Sequence, residues 1–221
     1  MRGHIQTGPA QQHYQQAAKW SLVDSSGCLV LFDAVDQPPC EFGVKDAATT
    51  VVLFGDSHAA QWLPPLDKLA HEHGWRLIAL TKAVCPSVDV DVIFYVTRAR
   101  YETCAKWRER MFERIARLRP QLVVLASSSG YVDVELPRWQ AGLERTVQRL
   151  QAGGSRVAYL RDTPHTGLDV PICWARTDWW GWAPPDVCTY PRSVEEQRML
   201  PRVQAEAAAL RARGASYIDL S

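Results

Sequence analysis

No stretch of this sequence carries the roughly 20 consecutive apolar residues that a bilayer-spanning helix needs. The strongest apolar runs, at 51–54, 77–80 and 122–126, have the length of strands. Charge of one sign is missing too: 25 Lys and Arg stand against 24 Asp and Glu, a net charge of +1. That balance leaves no electrostatic footprint for duplex nucleic acid or an anionic membrane, so no nucleic-acid partner is expected. Residues 1–19 are polar and rich in Gln and His, without the apolar centre of a signal peptide. No Cys-x-x-Cys occurs and no His lies at zinc-ligand spacing from a Cys pair, which argues against a metal site. No cofactor is called for, and neither a repeat nor a low-complexity tract is present. With 47% hydrophobic and 22% charged residues in a chain of 221, wholesale disorder is excluded and one sizeable core is expected.

Cysteine is what the chain does have: Cys28, Cys40, Cys85, Cys104, Cys173 and Cys188. Six cysteines allow fifteen pairings. In sequence order they form three local couples, separated by 12, 19 and 15 residues. Each couple brackets a stretch rich in turn-forming residues, whereas nested pairings would tie core strands together. The expectation is Cys28–Cys40, Cys85–Cys104 and Cys173–Cys188, with six reduced buried thiols as the alternative. Disulfides persist in oxidising compartments, so an extracytoplasmic setting follows from the paired reading.

Between the cysteines runs an alternating rhythm. Residues 1–27 read as a linker with a short helix near 14–22, and 28–49 as irregular. Strands are expected at 50–54, 75–81, 121–127, 156–161 and 215–220. Helices are expected at 59–73, 103–118, 137–152 and 194–213, the last capped by Ser193. The first of these carries Leu63, Leu66, Leu69 and Ala70 on one face, with its opening turns disturbed by Pro64 and Pro65. Strands alternating with helices predict an α/β fold, a three-layer α/β/α sandwich around a mainly parallel five-stranded sheet. Sites in such folds form at the carboxyl ends of the strands.

At the first of those ends stands Gly55-Asp56-Ser57-His58. Glycine permits a tight turn, and a serine there carries its hydroxyl at the sheet rim with its N–H at a helix start, where developing negative charge is stabilised. A plain helix N-cap by Asp56 or Ser57 is the competing reading. The segments VVLFGDSHAAQWLPPLDKLA, RLIALTKAVCP, YETCAKWRERMFERI, RPQLVVLASSS and DTPHTGLDVPIC resemble the SGNH domain fused to the C-terminus of bacterial membrane acyltransferases, the acyltransferase-three superfamily. The resemblance runs over 28–221, and the GDSH block and the cysteine couples are its most specific parts.

That resemblance implies a flavodoxin-like SGNH hydrolase fold outside the cytoplasm, normally tethered by membrane helices. It implies O-acylation, usually acetylation, of a cell-surface polysaccharide or peptidoglycan, with the acyl donor passed on from a membrane acyltransferase domain. Ser57 takes the place of the nucleophile and supplies one oxyanion donor from its own N–H, while Gly55 and Asp56 hold the turn. The superfamily draws further oxyanion donors from a glycine and an asparagine after the next two strands. Here those loops read Lys82-Ala83-Val84 and Ser127-Ser128-Ser129-Gly130, with Ser128 a candidate contributor. The family's base and carboxylate form a D-x-x-H beyond the fifth strand, and the sequence stops at Ser221, so an incomplete and inactive domain is expected. One internal D-x-x-H, Asp162-Thr163-Pro164-His165, follows the fourth strand. It offers either a candidate base and its carboxylate or a loop entering the 173–188 lobe. His58 is expected to point elsewhere along the turn. Trp174, Trp179, Trp180, Trp182 and Tyr190 in or beside the lobe suit either sugar stacking or a small core. Two other functions share these features: a carbohydrate esterase that sends the acyl group to water, and a non-catalytic glycan-binding module.

Overall fold

Alternate residues of the central strands are buried on opposite faces of one sheet, which is why those strands read as unbroken apolar runs. The computed structural model describes residues 26–164, 169–180 and 185–220. The described residues divide into two compact units, one within 164–199 and the other formed by 26–163 and 200–220. The larger unit carries the sheet. Its strands are β1 (Leu29–Val30), β2 (Glu41–Gly43), β3 (Thr49–Gly55), β4 (Trp75–Lys82), β7 (Leu122–Ala126), β8 (Arg156–Leu160) and β9 (Ser216–Ile218). The order is β1-β4-β3-β7-β8-β9, all parallel, and β2 adds antiparallel to β4. A separate hairpin pairs β5 (Ile93–Phe94) with β6 (Ala99–Arg100). The expected five-stranded sheet is thus seven-stranded among the described residues. The two additions, β1 and β2, are too short and too mixed in polarity to show a period in sequence.

One face of the sheet presents Val52, Phe54, Ile78, Leu80, Val123, Leu125, Val157 and Tyr159. It is covered by α3 (Glu102–Leu118) through Trp107, Met111, Phe112 and Ile115, and by α4 (Leu136–Ala152) through Trp139, Leu143, Val147 and Leu150. The other face presents Val51, Leu53, Leu77, Ala79, Val124, Ala126 and Leu160 to α1 (Ser57–Ala60) and α2 (Leu63–His73). The single helix expected over 59–73 is therefore two. Pro64 and Pro65 lie in the first turn of α2, where a missing N–H leaves no helix bond unmade. Of the face expected on α2, Leu63 and Ala70 are buried, but Leu69 is 39% exposed because it sits past the edge of the apolar stripe. Gly74 closes the helix in a left-handed conformation, φ 65°.

Bridges Cys28–Cys40 and Cys85–Cys104 lie in the larger unit and Cys173–Cys188 in the smaller. The smaller unit holds α5 (Val170–Trp180), a 3₁₀ turn at Pro185–Cys188, and the start of α6 (Arg192–Ala212). The stretch after Cys173, expected to be irregular, is helical because the Asp169 carboxylate accepts from the N–H of Ile172 and starts the helix. Helix α6 begins at Arg192, so Ser193 lies inside it rather than capping it. The helix expected near 14–22, His165 and Trp182 lie outside the described residues; Trp174 is half-buried and Tyr190 exposed.

Candidate active site

Strands β3, β7 and β8 are neighbours in the sheet, so the loops leaving their carboxyl ends converge on one rim. Gly55 ends β3 so close to β7 that a Cβ there would lie 1.9 Å from the Ala126 carbonyl oxygen. Only glycine fits. The chain then turns through Asp56, the N-cap of α1, whose carboxylate is fully buried. Its Oδ1 accepts from the His58 N–H at 2.8 Å, and its Oδ2 from the Ser128 N–H at 2.9 Å and the Tyr131 hydroxyl at 2.7 Å. Burial raises the Asp56 pKa above the ordinary carboxylate range, against the pull of His58 and of these donors. Burial and the neighbouring Asp56 charge likewise push the Tyr131 phenol well up, so it stays a hydrogen-bond donor.

Ser57 is the first residue of α1. It is half-buried and lines a cavity of about 300 Å³, and its hydroxyl has no partner among the described residues. Apolar walls come from Val84, Val92, Ile93, Tyr95 and Val134, polar ones from the Asp56–His58 turn, Ser128, Tyr131 and Asp133. A pocket of this size with both apolar and polar walls suits a small ligand of mixed character. Val84 holds a φ of 56°, a left-handed backbone that glycine adopts freely and a β-branched residue rarely does. Ser128 gives its N–H to Asp56 and accepts the Gly130 N–H on its hydroxyl oxygen at 3.1 Å, leaving only a hydroxyl proton to offer.

Asp162, just beyond β8, is buried with both carboxylate oxygens engaged. Oδ2 accepts from the Ser129 N–H, and Oδ1 meets His58 Nδ1, both at 2.6 Å. Among the described residues the histidine beside this carboxylate is His58, which also lines the cavity rather than pointing away along the turn. Burial alone would lower the His58 pKa, but the Asp162 hydrogen bond and the charges of Asp162 and Asp56 outweigh it and raise the value. Sequence reading missed this pair because its members are 104 residues apart. The signal available was their common position, each just past a parallel strand of the same rim. Tyr131 was missed as well, and as an ordinary aromatic it carried no signal.

Two loops are braced by buried polar groups. Lys82 at the end of β4 is fully buried and donates to the carbonyls of Leu31, Phe32 and Ala34 at 2.7–2.9 Å, with its pKa lowered by burial to about 8. The Ser127 hydroxyl holds Ser87, near the Cys85–Cys104 bridge, through its N–H and hydroxyl. Among the described residues no cluster of His, Cys, Asp and Glu is placed to hold a metal ion.

Residues 27–221 match the SGNH domain (fused to AT3 domains). The chain belongs to that family. This SGNH domain has a fold similar to the periplasmic domain of the lipopolysaccharide acetyltransferase of Salmonella ser. Paratyphi A, with a TM-score of 0.62. That likeness spans 97% of this chain and 80% of the other at 15% identity. TesA (TM-score 0.47, 17% identity, 76% of this chain and 77% of that one) is among the other solved structures found. So is a GDSL-like lipase from Bacteroides thetaiotaomicron (0.47, 12%, 95% and 77%). No curated protein matches the chain at a significant level. The SGNH family places the chain among acyl-transferring and ester-cleaving domains, and its α/β fold with a mainly parallel sheet agrees.

Proposed function

We propose that this SGNH domain is an O-acyltransferase in which Ser57 carries the acyl group. The observation that bears the proposal is the unpartnered Ser57 hydroxyl on the wall of the cavity, at a bend whose glycine admits no substitute. Ser57 attacks the carbonyl carbon of an acyl donor, its hydroxyl proton leaves with the donor's departing group, and an ester forms on Oγ. A hydroxyl of a cell-surface polysaccharide or peptidoglycan then attacks that ester and takes the acyl group, an acetyl by the family's usual chemistry. The Ser57 N–H at the start of α1 is one donor to the oxyanion of each step. The acyl group reaches this domain from a membrane acyltransferase domain of the AT3 kind to which the family is fused. Three disulfides support work outside the cytoplasm.

The test uses the full chain with 4-nitrophenyl acetate as donor, with and without purified lipopolysaccharide or peptidoglycan fragments. In place of the inactivity expected from the sequence, the expected result is an acetyl adduct on Ser57, seen by peptide mass spectrometry, and acetylated glycan among the products. Ser57→Ala is expected to lose both, by at least about 100-fold in rate. Ester turnover unchanged in Ser57→Ala would overturn the assignment, and turnover through Ser57 to water alone would make the domain an esterase.

A further inference from the structure

One wall of the Ser57 cavity comes from the hairpin of β5 and β6, through Ile93 and Tyr95. The Arg98 N–H closes its turn on the Phe94 carbonyl at 2.8 Å, and the turn leaves Tyr95 55% exposed. A lone exposed apolar side chain is ordinary. Tyr95, however, is braced by a cluster of rings. It meets Phe94 at 5.3 Å and 69° and Phe32 at 6.3 Å and 82°. Phe94 in turn stacks at 4.7 Å on Tyr101, which is buried and donates its hydroxyl to the carbonyls of Phe32 and Ala83, both at 3.2 Å. No described ring lies flat on Tyr95, and more than half of its surface stays open. A ring held in place before a ligand arrives spares the ordering cost of binding.

The same cavity is lined by Ser128, with a hydroxyl proton to give, and by Asp133. Asp133 is exposed, and its carboxylate has no partner among the described residues. An aromatic ring with a donor and an acceptor nearby matches a pyranose, whose C–H groups lie against the ring while its hydroxyls bond at the edge. A phosphate or carboxylate on the sugar would instead meet the Asp133 charge. No lysine or arginine lines the cavity among the described residues, and His58 already has Asp162 on Nδ1. We propose that Tyr95 is the acceptor platform, taking the apolar face of an uncharged pyranose in stacking contact while Asp133 accepts from that sugar's hydroxyls. Tyr95 is then a specificity-determining residue that favours neutral glycans over acidic ones. Its part in acyl transfer rests on Ser57 being the carrier, whereas sugar binding is measured without that step.

The full chain is titrated by calorimetry with three probes: neutral O-polysaccharide released from lipopolysaccharide, chitotetraose for the glycan strand of peptidoglycan, and trigalacturonate as an acidic sugar. At least one neutral probe is expected to bind, and which one does identifies the source of the acceptor. Trigalacturonate is expected to bind about 10-fold more weakly or not at all, and Tyr95→Ala to raise the Kd of the neutral probe about 10-fold. Tyr95→Trp is expected to keep the affinity, and Val96→Ala, in the same turn but off the cavity wall, to leave it unaltered. With 4-nitrophenyl acetate as donor, the acceptor KM for glycan acetylation should rise in Tyr95→Ala by the same factor as Kd, more than kcat falls. Should Tyr95→Ala not fold by circular dichroism, Tyr95→Leu, which keeps bulk without a ring, takes its place. Parental Kd and acceptor KM in that variant would overturn the platform, and so would failure of both neutral probes to bind or tighter binding of trigalacturonate. Absence of an acetyl adduct on wild-type Ser57, with neutral sugar still bound through Tyr95, would sink the carrier assignment alone.

Discussion

The bend that presents Ser57 depends on one missing methyl group, and its replacement gives the sharpest test of the site's construction. A Cβ at Gly55 would meet the Ala126 carbonyl oxygen at 1.9 Å, Ala59 Cβ at 2.8 Å and the Ala126 carbonyl carbon at 3.1 Å. Non-bonded atoms settle at about 3.5–4.0 Å, so something must move by more than an ångström. The nearest obstacle is backbone in β7, held in register with β3 from Val51↔Leu122 to Gly55↔Ala126, and cannot swing aside like a side chain. Overpacking costs about 1–3 kcal/mol and occasionally more; with rigid backbone as the obstacle, Gly55→Ala belongs at about 3 kcal/mol. For a domain of this size that is a fall in Tm of about 6–12 °C. Gly74→Ala is the control. Nothing lies within 4 Å of its added Cβ, and its only penalty is the left-handed backbone, about 1 kcal/mol and ~2–4 °C. Thermal unfolding followed by circular dichroism gives both numbers. Labelling by a serine-directed fluorophosphonate reports whether the hydroxyl is still presented: it should fall in Gly55→Ala and persist in Gly74→Ala. A Gly55→Ala protein that melts with the control and labels at the parental rate would refute the close approach.

Two further outcomes are expected. Glu206 is buried where Trp139 Nε1 and the Tyr159 hydroxyl both donate to its Oε1 at 3.1 Å, and burial lifts its pKa to about 7. The folded form therefore holds this proton more tightly than the unfolded one. Its contribution is complete below the unfolded value near 4.5 and is lost as pH rises through 7, by up to about 3 kcal/mol; Glu206→Gln should flatten that part of the stability profile in urea titrations. Replacing Cys85 and Cys104 together by Ala removes a 19-residue loop constraint and should cost about 3 kcal/mol, read as a Tm fall of about 6–12 °C without reductant.

The central strands were legible because both of their faces are buried, so 51–54, 77–80 and 122–126 read as continuous apolar runs. Helices α3 and α4 were legible from their spaced aromatic and aliphatic residues. Strands β1 and β2 were not, because they exist through pairing with β4 rather than through any preference of their own; the Arg76–Glu41 ion pair beside the β2–β4 register is an example. Helix α5 was hidden because its start depends on one aspartate whose role shows only in its bond to Ile172. At the site, Ser57 could be read from the turn that presents it. The contact between His58 and Asp162 could not: the two lie 104 residues apart and meet because they follow β3 and β8, the strands on either side of β7.

The three bridges close in the order in which their halves are made, and no loop encloses a cysteine of another. A chain made at about 5–20 residues per second and entering an oxidising space amino end first would therefore meet each correct thiol before the next rival emerges. Nested pairs would expose early cysteines to wrong neighbours until the tail arrived. In an oxidising compartment, sequential pairing leaves no early cysteine waiting for a distant partner and so little occasion for reshuffling.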